Sequence, residues 1–167
     1  MIFILFLLFH YIFSKYRDKW TSDQGINYLI ETEKVFNLYS LNYFKDITGF
    51  DLSILYEQIY NESLVSLNNL DNEKRKIILE YILKYFFEPI VNNYDILYKF
   101  NQNQYDALVS FVFNKGDIDK LTKNGNNTIE QIYFSINSND FITIEGKKSD
   151  DLLTIRTLEK QLFNKPV

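Results

Sequence analysis

The segment from Asn101 to Gly116 constrains the fold of this chain more than any other. Asn101 and Gln104 have the spacing of a capping box, in which two side chains satisfy backbone N–H groups at a helix start. Gly116 is a typical stop signal for a helix. Between them, apolar residues recur at helical spacing: Tyr105, Leu108, Val109, Val112 and Phe113. The segment therefore predicts a helix whose apolar face packs in a core.

Similar spacing along the rest of the chain predicts a mostly helical domain. Asp23 and Asp71 are placed to cap two helices, and Pro89 breaks or restarts the second one. Residues 39–50 and 117–127 are rich in turn formers and are predicted as loops, the first with some strand. The predicted helices comprise Asp23 to about Asn37, 51–61, Asp71 to about Phe87, a short helix after Pro89 to Tyr98, 128–137 and 151–163.

Composition limits the chemistry that such a domain can perform. The 167 residues contain no cysteine and one histidine, His10, so thiolate chemistry is excluded and a histidine triad or zinc site is not expected. A net charge of −4 disfavours nucleic acid as a partner. Carboxylates, hydroxyls, amides and aromatic rings remain, and we expect neither a metal nor a cofactor.

The N-terminal residues 1–20 form a separate segment, ahead of a single domain over 21–167. Residues 2–13 are apolar apart from His10 and are too short to span a bilayer comfortably. No basic residue precedes this run, whereas Lys15, Arg17 and Lys19 follow it. The segment is interpreted as a targeting or membrane-associated sequence, with a buried helix or an imprecise gene start as alternatives. An exported or membrane-associated protein is expected on the first interpretation.

Three stretches resemble the phage-type lysozyme family. The sequence FNQNQYDALVSFVFNKG at 100–116 is similar to the family's L-T-x-N-Q-x-D-A-L-V-S-F-x-F-N-x-G, and INSNDF at 136–141 is similar to its L-N-x-G-D-F. The family's ending L-x-x-x-R-x-x-E-x-x-L-F fits Leu152, Arg156, Glu159, Leu162 and Phe163. The predicted helix at 71–87 also fits the family's interlobe helix.

The resemblance implies a mainly α, lysozyme-like α+β fold with two lobes around a cleft joined by a long helix. It implies hydrolysis of the β-1,4 bond between N-acetylmuramic acid and N-acetylglucosamine, by a monomer acting on a peptidoglycan glycan strand. A phage enzyme of this kind would stay cytoplasmic until release. Because the N-terminal lobe departs from the family, its β-hairpin is expected to be reduced or lost. Two alternatives remain: a catalytically degenerate lysozyme-fold binding or structural protein, and a membrane-tethered helical interaction protein.

Glu33 is the candidate general acid. LIETEK at 29–34 resembles the family's L-I-x-x-E-G, although Lys34 stands where glycine is usual. Glu33 also follows Leu29 by four residues, which places it on the apolar helix face, where burial would raise a carboxyl pKa. Glu31 lies about 160° away on the helical wheel. The alternative role for Glu33 is an ion pair, with Arg156 as its partner.

Asp46 and Ser53 are the other catalytic candidates. FKDITGFDLSILYEQ at 44–58 resembles the family's Y-x-D-x-x-G-x-x-T-I-G-Y-G-H, with Asp46 to orient or activate water and Ser53 to assist. Asp46 follows Glu33 by 13 residues, against nine in the family, and is also a suitable turn residue. The helical spacing of residues 52–60 conflicts with the family's glycine-rich hairpin.

Three amides are candidates for substrate binding. The resemblance allows Gln104, Asn101 and Asn114 to contact the sugar or the wall peptide. Helix capping and structural hydrogen bonds are the alternative roles for all three. Asp106, on the side of the same apolar helix, is expected to be structural.

Overall fold

The computed structural model describes residues 19–36, 52–61 and 71–167. Within these ranges, the side chains of residues 33–36, Leu52, Leu55, Asn72 and Arg75 are outside the description. The described chain is mainly helical, as the periodicity predicts. Its α-helices are α1 (Asp23–Phe36), α2 (Leu52–Tyr60), α3 (Asn72–Ile82), α4 (Glu88–Tyr98), α5 (Gln102–Phe113), α6 (Ile118–Thr122), α7 (Ile129–Ser135) and α8 (Asp150–Phe163).

Helix α5 is the centre of the packing. Ten of its twelve residues are buried, and α8 packs along it more extensively than any other element does. Helices α1 and α4 also pack against α5. The aromatic residues serve largely as core filling here: Phe87 stacks edge-on against Phe113 with ring centroids 5.1 Å apart.

Of the two predicted helix caps, the one at Asp71 is confirmed and the one at Asp23 is corrected. Asp71 accepts a hydrogen bond from the backbone N–H of Lys74 at 2.8 Å, as an N-cap does. Helix α1 begins at Asp23 itself, so the capping side chain is that of Ser22, which accepts from the backbone N–H of Gly25 at 3.1 Å. The prediction of Asp23 as the cap was wrong by one residue.

Of the two outcomes expected at Pro89, a break or a restart, the break does not occur, and a new α-helix starts at Glu88. A π-helical segment, Leu83–Phe87, joins α3 to α4 directly, and Pro89 lies in the first turn of α4. Proline has no N–H and its ring collides with the carbonyl four residues earlier, so it disturbs a regular α-helix. The wider π turn takes up that disturbance without ending the helix. Helices α3 and α4 are therefore joined through the π segment into one continuous helical element.

The end of α5 is also built differently from the prediction. The helix ends at Phe113, and the left-handed residue that follows is Lys115, with φ 65°. The N–H of Gly116 donates to the carbonyl of Phe111 at 2.7 Å, which is the six-to-one bond of a Schellman motif. A Cβ on Gly116 would lie 2.2 Å from the Phe111 ring. Glycine is needed there for space.

The strands of the described ranges form one short hairpin that the sequence analysis did not foresee. Thr143–Ile144 pairs antiparallel with Lys147–Lys148, and the turn between them has two positive φ angles, at Glu145 and Gly146. The predicted loop at 117–127 likewise contains the short helix α6. The N-terminal hairpin of the family would fall within residues 44–58, of which 44–51 lie outside the described residues and the rest belong to α2.

The described residues contain neither a membrane-spanning helix nor a cluster of metal-binding side chains. No helix there is both long and apolar enough to cross a bilayer. The acidic side chains there form no cluster that could hold a metal ion.

Candidate active site

The helix that carries Glu33 is held at its start by two buried carboxylates. Glu88 accepts from the backbone N–H of Thr21 at 2.9 Å and from its hydroxyl at 2.8 Å. Asp106 accepts from the backbone N–H of Ser22 at 3.0 Å and also from its hydroxyl. Because Glu88 lies on α4 and Asp106 on α5, the start of α1 is fixed to both helices. Asp106 thus has the structural role expected of it.

Close packing continues along α1. A Cβ on Gly25 would lie 2.6 Å from Cγ of Asp106, so the α1 backbone approaches α5 at a distance that only glycine permits. Ile26 and Leu29 are both buried, which confirms the predicted apolar face. Position 33 lies one helical turn beyond Leu29 in the same row. The Glu33 side chain is outside the described residues, and its catalytic role stays a prediction.

The catalytic roles of the other two candidates, Asp46 and Ser53, stay predictions. Asp46 lies outside the described residues. Ser53 lies in the first turn of α2, with an exposed side chain. The helix rests on α3 through buried Tyr56, whose hydroxyl accepts from Nζ of Lys74 at 3.1 Å. Residues 52–60 are therefore helical, as their spacing predicts, and Ser53 does not sit in the hairpin that the family resemblance assumes.

Asn101 and Gln104 form the predicted capping box. The Asn101 side chain accepts from the backbone N–H of Gln104 at 2.9 Å. The Gln104 side chain accepts in turn from the backbone N–H of Asn101 at 3.0 Å. Both side-chain oxygens are thus used by the start of α5, and the capping role is confirmed. A contact of these amides with substrate stays a prediction.

Asn114 belongs to a buried network. Its side-chain amide donates to the carbonyl of Ser110 at 3.0 Å and lies 3.4 Å from Oε1 of Glu159. Its backbone carbonyl accepts from Nη2 of Arg156 at 2.6 Å. These contacts give Asn114 a structural role at the end of α5, whereas a contact with sugar stays a prediction.

The centre of this network is an ion pair between α8 residues. Nη1 of Arg156 lies 2.6 Å from Oε2 of Glu159, and both side chains are fully buried. The guanidinium also donates to the carbonyls of Phe111 at 3.3 Å and Phe141 at 3.2 Å. Burial raises the pKa of the Glu159 carboxyl, and the nearby Arg156 charge opposes that rise. The described partners of Arg156 are thus carbonyls and Glu159, while a pairing with Glu33 stays a prediction.

Tyr28 of α1 lies beside this network. Its hydroxyl is buried near Glu159 and Ser110 with no hydrogen-bond partner among the described residues, and burial raises the pKa of the Tyr28 hydroxyl well above its usual value. Sequence reasoning missed the position of Tyr28 and the role of Glu88. The family ending L-x-x-x-R-x-x-E-x-x-L-F contains both Arg156 and Glu159, and it was the sequence signal from which their ion pair could have been predicted.

An open groove lies at the opposite end of α1 from Glu33. Its volume is about 510 Å³. Ten residues separate Asp23, on the groove, from Glu33, which corresponds to about 15 Å along a helix axis. The groove therefore lies at the start of α1, about 15 Å along the helix from position 33. It is lined by Trp20, Thr21, Ser22, Asp23, Ile26, Glu80, Leu83, Lys84 and Glu88.

The described fold is mainly helical, which is consistent with the lysozyme-like class. The family described as phage lysozyme matches residues 40–152, about two thirds of the chain. The chain belongs to the phage lysozyme family. The comparisons with curated proteins and with solved structures give no match. The matched range includes Asp46, Ser53 and the three amides, and it begins seven residues after Glu33.

Proposed function

We propose that this chain is a muramidase that cleaves the β-1,4 bond between N-acetylmuramic acid and N-acetylglucosamine. Membership of the phage lysozyme family indicates a peptidoglycan hydrolase, and the match over residues 40–152 is the observation that carries the proposal. Further support comes from α1, because two buried carboxylates and Gly25 fix it rigidly to α4 and α5. A catalytic acid on such a helix would keep its position during the reaction.

The proposed chemistry needs two carboxyl groups. Glu33 would protonate the leaving glycosidic oxygen, and Asp46 would orient or activate the attacking water, with Ser53 assisting. The partly apolar face of α1 favours the protonated form of an acid at position 33. No cofactor enters this reaction.

Hydrolysis of peptidoglycan by three proteins tests the proposal: the wild type, Glu33→Gln and Glu31→Gln. The last is a matched control, because it changes the same residue type on the same helix, two positions away. We expect the wild type and Glu31→Gln to clear a peptidoglycan gel, and Glu33→Gln to lose activity by at least about 100-fold. Mass spectrometry of the released fragments should show N-acetylmuramic acid at the reducing ends.

Each contrary result removes a different part of the proposal. A folded wild-type protein that releases no fragments rejects hydrolase activity. Fragments with N-acetylglucosamine at the reducing ends keep the hydrolase and reject the muramidase. Clearing that survives in Glu33→Gln rejects this residue as the acid, and a parallel Asp46→Asn variant then tests the second carboxyl group.

A second candidate function is a lysozyme-fold protein that binds peptidoglycan without cleaving it. The helical conformation of residues 52–60, where the family resemblance implies a hairpin, favours it. In that case the wild-type protein would sediment with insoluble peptidoglycan and release no fragments. Glu33→Gln would bind to the same extent as the wild type.

A further inference from the structure

The groove at the start of α1 is large enough to hold a small ligand and has an apolar base. We name it the α1 groove. Its volume of about 510 Å³ lies within the range of about 300–1,000 Å³ that is typical of small-ligand sites. Ile26 of α1 and Leu83, at the start of the π-helical segment, line the groove and are both buried. A ligand in the groove therefore meets apolar side chains at its base.

Trp20 adds an exposed aromatic ring to the lining of the α1 groove. Its side chain is 65% exposed, although the backbone around it is fixed. The carbonyl of Trp20 accepts from Nε2 of Gln102 at 2.9 Å. The N–H of the next residue, Thr21, donates to the buried Glu88 carboxylate at 2.9 Å. An indole held on a fixed backbone offers a ligand a flat contact surface at a low cost in conformational entropy.

Two exposed carboxylates of the lining are held together by a lysine. Nζ of Lys76 lies 3.1 Å from Oδ1 of Asp23 and 3.7 Å from Oε1 of Glu80. The Asp23 side chain is 86% exposed and that of Glu80 is 44% exposed, and both line the groove. Lys76 contacts one oxygen of each carboxylate, whereas a carboxylate has two oxygens that can accept several hydrogen bonds. The two acids can therefore also accept hydrogen bonds from a ligand.

The charge of the lining disfavours an anionic ligand. The described lining includes the carboxylates of Asp23, Glu80 and Glu88 and the amine of Lys84. Even when Lys76 is added, three acids stand against two lysines. Phosphate groups and nucleic acids would be repelled by this balance. A neutral ligand that brings hydroxyl donors suits the carboxylate acceptors, because hydrogen bonds to an ionised acceptor are strong.

We propose that the α1 groove binds a neutral N-acetylated glycan, such as the glycan strand of peptidoglycan. The indole of Trp20 stacks on the apolar C–H face of a sugar ring, and the apolar base of the groove contacts an N-acetyl methyl group. Sugar hydroxyls donate to Asp23 and Glu80. The choice of glycan rests on the proposed function, because family membership indicates a peptidoglycan substrate. The groove binds the strand at the other end of α1 from position 33, about 15 Å away along the helix.

Fluorescence of the full chain tests the proposal, because Trp20 is the only tryptophan in the sequence and reports on the groove directly. The protein carries Glu33→Gln, so that the sugar is not consumed, and the probe is the soluble tetramer of N-acetylglucosamine. We expect the tetramer to shift the Trp20 emission to the blue and to protect the indole from quenching by acrylamide. Both effects should saturate as the tetramer concentration rises, which gives the affinity of the groove.

Neutralising the two exposed acids of the lining tests their part in binding. Asp23→Asn/Glu80→Gln should weaken the binding that Trp20 reports by about tenfold or more, because neutral acceptors form weaker hydrogen bonds with sugar hydroxyls. The matched control is Glu130→Gln/Asp150→Asn, which removes the same two charges from the first turns of α7 and α8. This control should bind the tetramer like its parent. Circular dichroism of each variant confirms that the fold is kept.

Four results would overturn the proposal. The first is a Trp20 emission that millimolar tetramer leaves unchanged. The second is an indole that acrylamide does not quench in the free full chain, because residues 1–18 would then cover the groove. The third is equal binding by Asp23→Asn/Glu80→Gln and its parent. The fourth is a larger shift with tetralysine than with the sugar, because the groove would then bind a cationic peptide.

The proposed hydrolysis and the proposed groove can fail independently. A folded wild-type protein that releases no fragments from peptidoglycan rejects the hydrolysis. If the Trp20 emission of that protein still responds to the tetramer and Asp23→Asn/Glu80→Gln weakens the response, the groove is supported as a glycan-binding site. If peptidoglycan is cleaved and the emission does not respond, the hydrolysis stands and the groove is rejected.

Discussion

Helices α5 and α2 have similar apolar spacing in the sequence and different places in the structure. Ten of the twelve α5 residues are buried. In α2, Tyr56 is buried, whereas Ser53, Ile54, Glu57, Gln58 and Ile59 are exposed. Periodicity therefore indicates that a segment is helical and which of its faces is apolar. How deeply the helix is buried depends on how many other elements pack around it.

The two helices also differ in how their ends are fixed. A complete capping box starts α5, and Arg156 donates to carbonyls at its end. The resemblance to the lysozyme family is also strongest along α5 and weakest around α2. The family model spans both helices, and the comparison teaches that the sequence resemblance is closer along the buried α5 than around α2, where the chain is helical.

The largest expected effect comes from the ion pair that holds the end of α5. Arg156→Met would leave Glu159 buried without its partner and should lower the free energy of unfolding by about 3–5 kcal/mol. Urea denaturation measures this. The control is Arg156→Met/Glu159→Met, which removes both charges and should recover part of the loss, because the carbonyls of Phe111 and Phe141 still lose their donor. A single variant within about 1 kcal/mol of the wild type would show that the pair does not stabilise α5.

Deletion of one side chain in each helix tests the burial difference directly. Leu108 in α5 is fully buried, and Leu108→Ala should cost about 2–5 kcal/mol, because it removes core contacts and leaves a cavity. Ile54 in α2 is 49% exposed, and Ile54→Ala should change stability by no more than about 0.5 kcal/mol. Equal costs in thermal denaturation would contradict the contrast between the two helices.

The smallest expected effect concerns the cap of α5. Asn101→Ala removes the acceptor for the backbone N–H of Gln104 and should cost about 1 kcal/mol. Gln58→Ala, at an exposed position of α2, serves as the comparison and should stay within about 0.5 kcal/mol of the wild type. Chemical denaturation distinguishes the two variants. A cost below that of Gln58→Ala would show that the capping box contributes nothing to the stability of α5.

The sequence by itself determined the helices of the described chain apart from α6, which lies in a predicted loop, and several of their starts. The capping box at Asn101, the cap at Asp71 and the apolar face of α1 all depend on residues within one or two turns, so local spacing reveals them. The family could be recognised because the residues that carry the resemblance, from Phe100 to Gly116, form one continuous stretch of sequence that makes up α5 and its two ends.

Only the tertiary structure decided which polar residues hold the core together. Glu88 and Asp106 fix the start of α1 from more than 60 positions away in the chain, and Arg156 reaches carbonyls of α5. Such partners are distant in sequence, and a buried carboxylate has the same local pattern as an exposed one until the fold places a donor beside it.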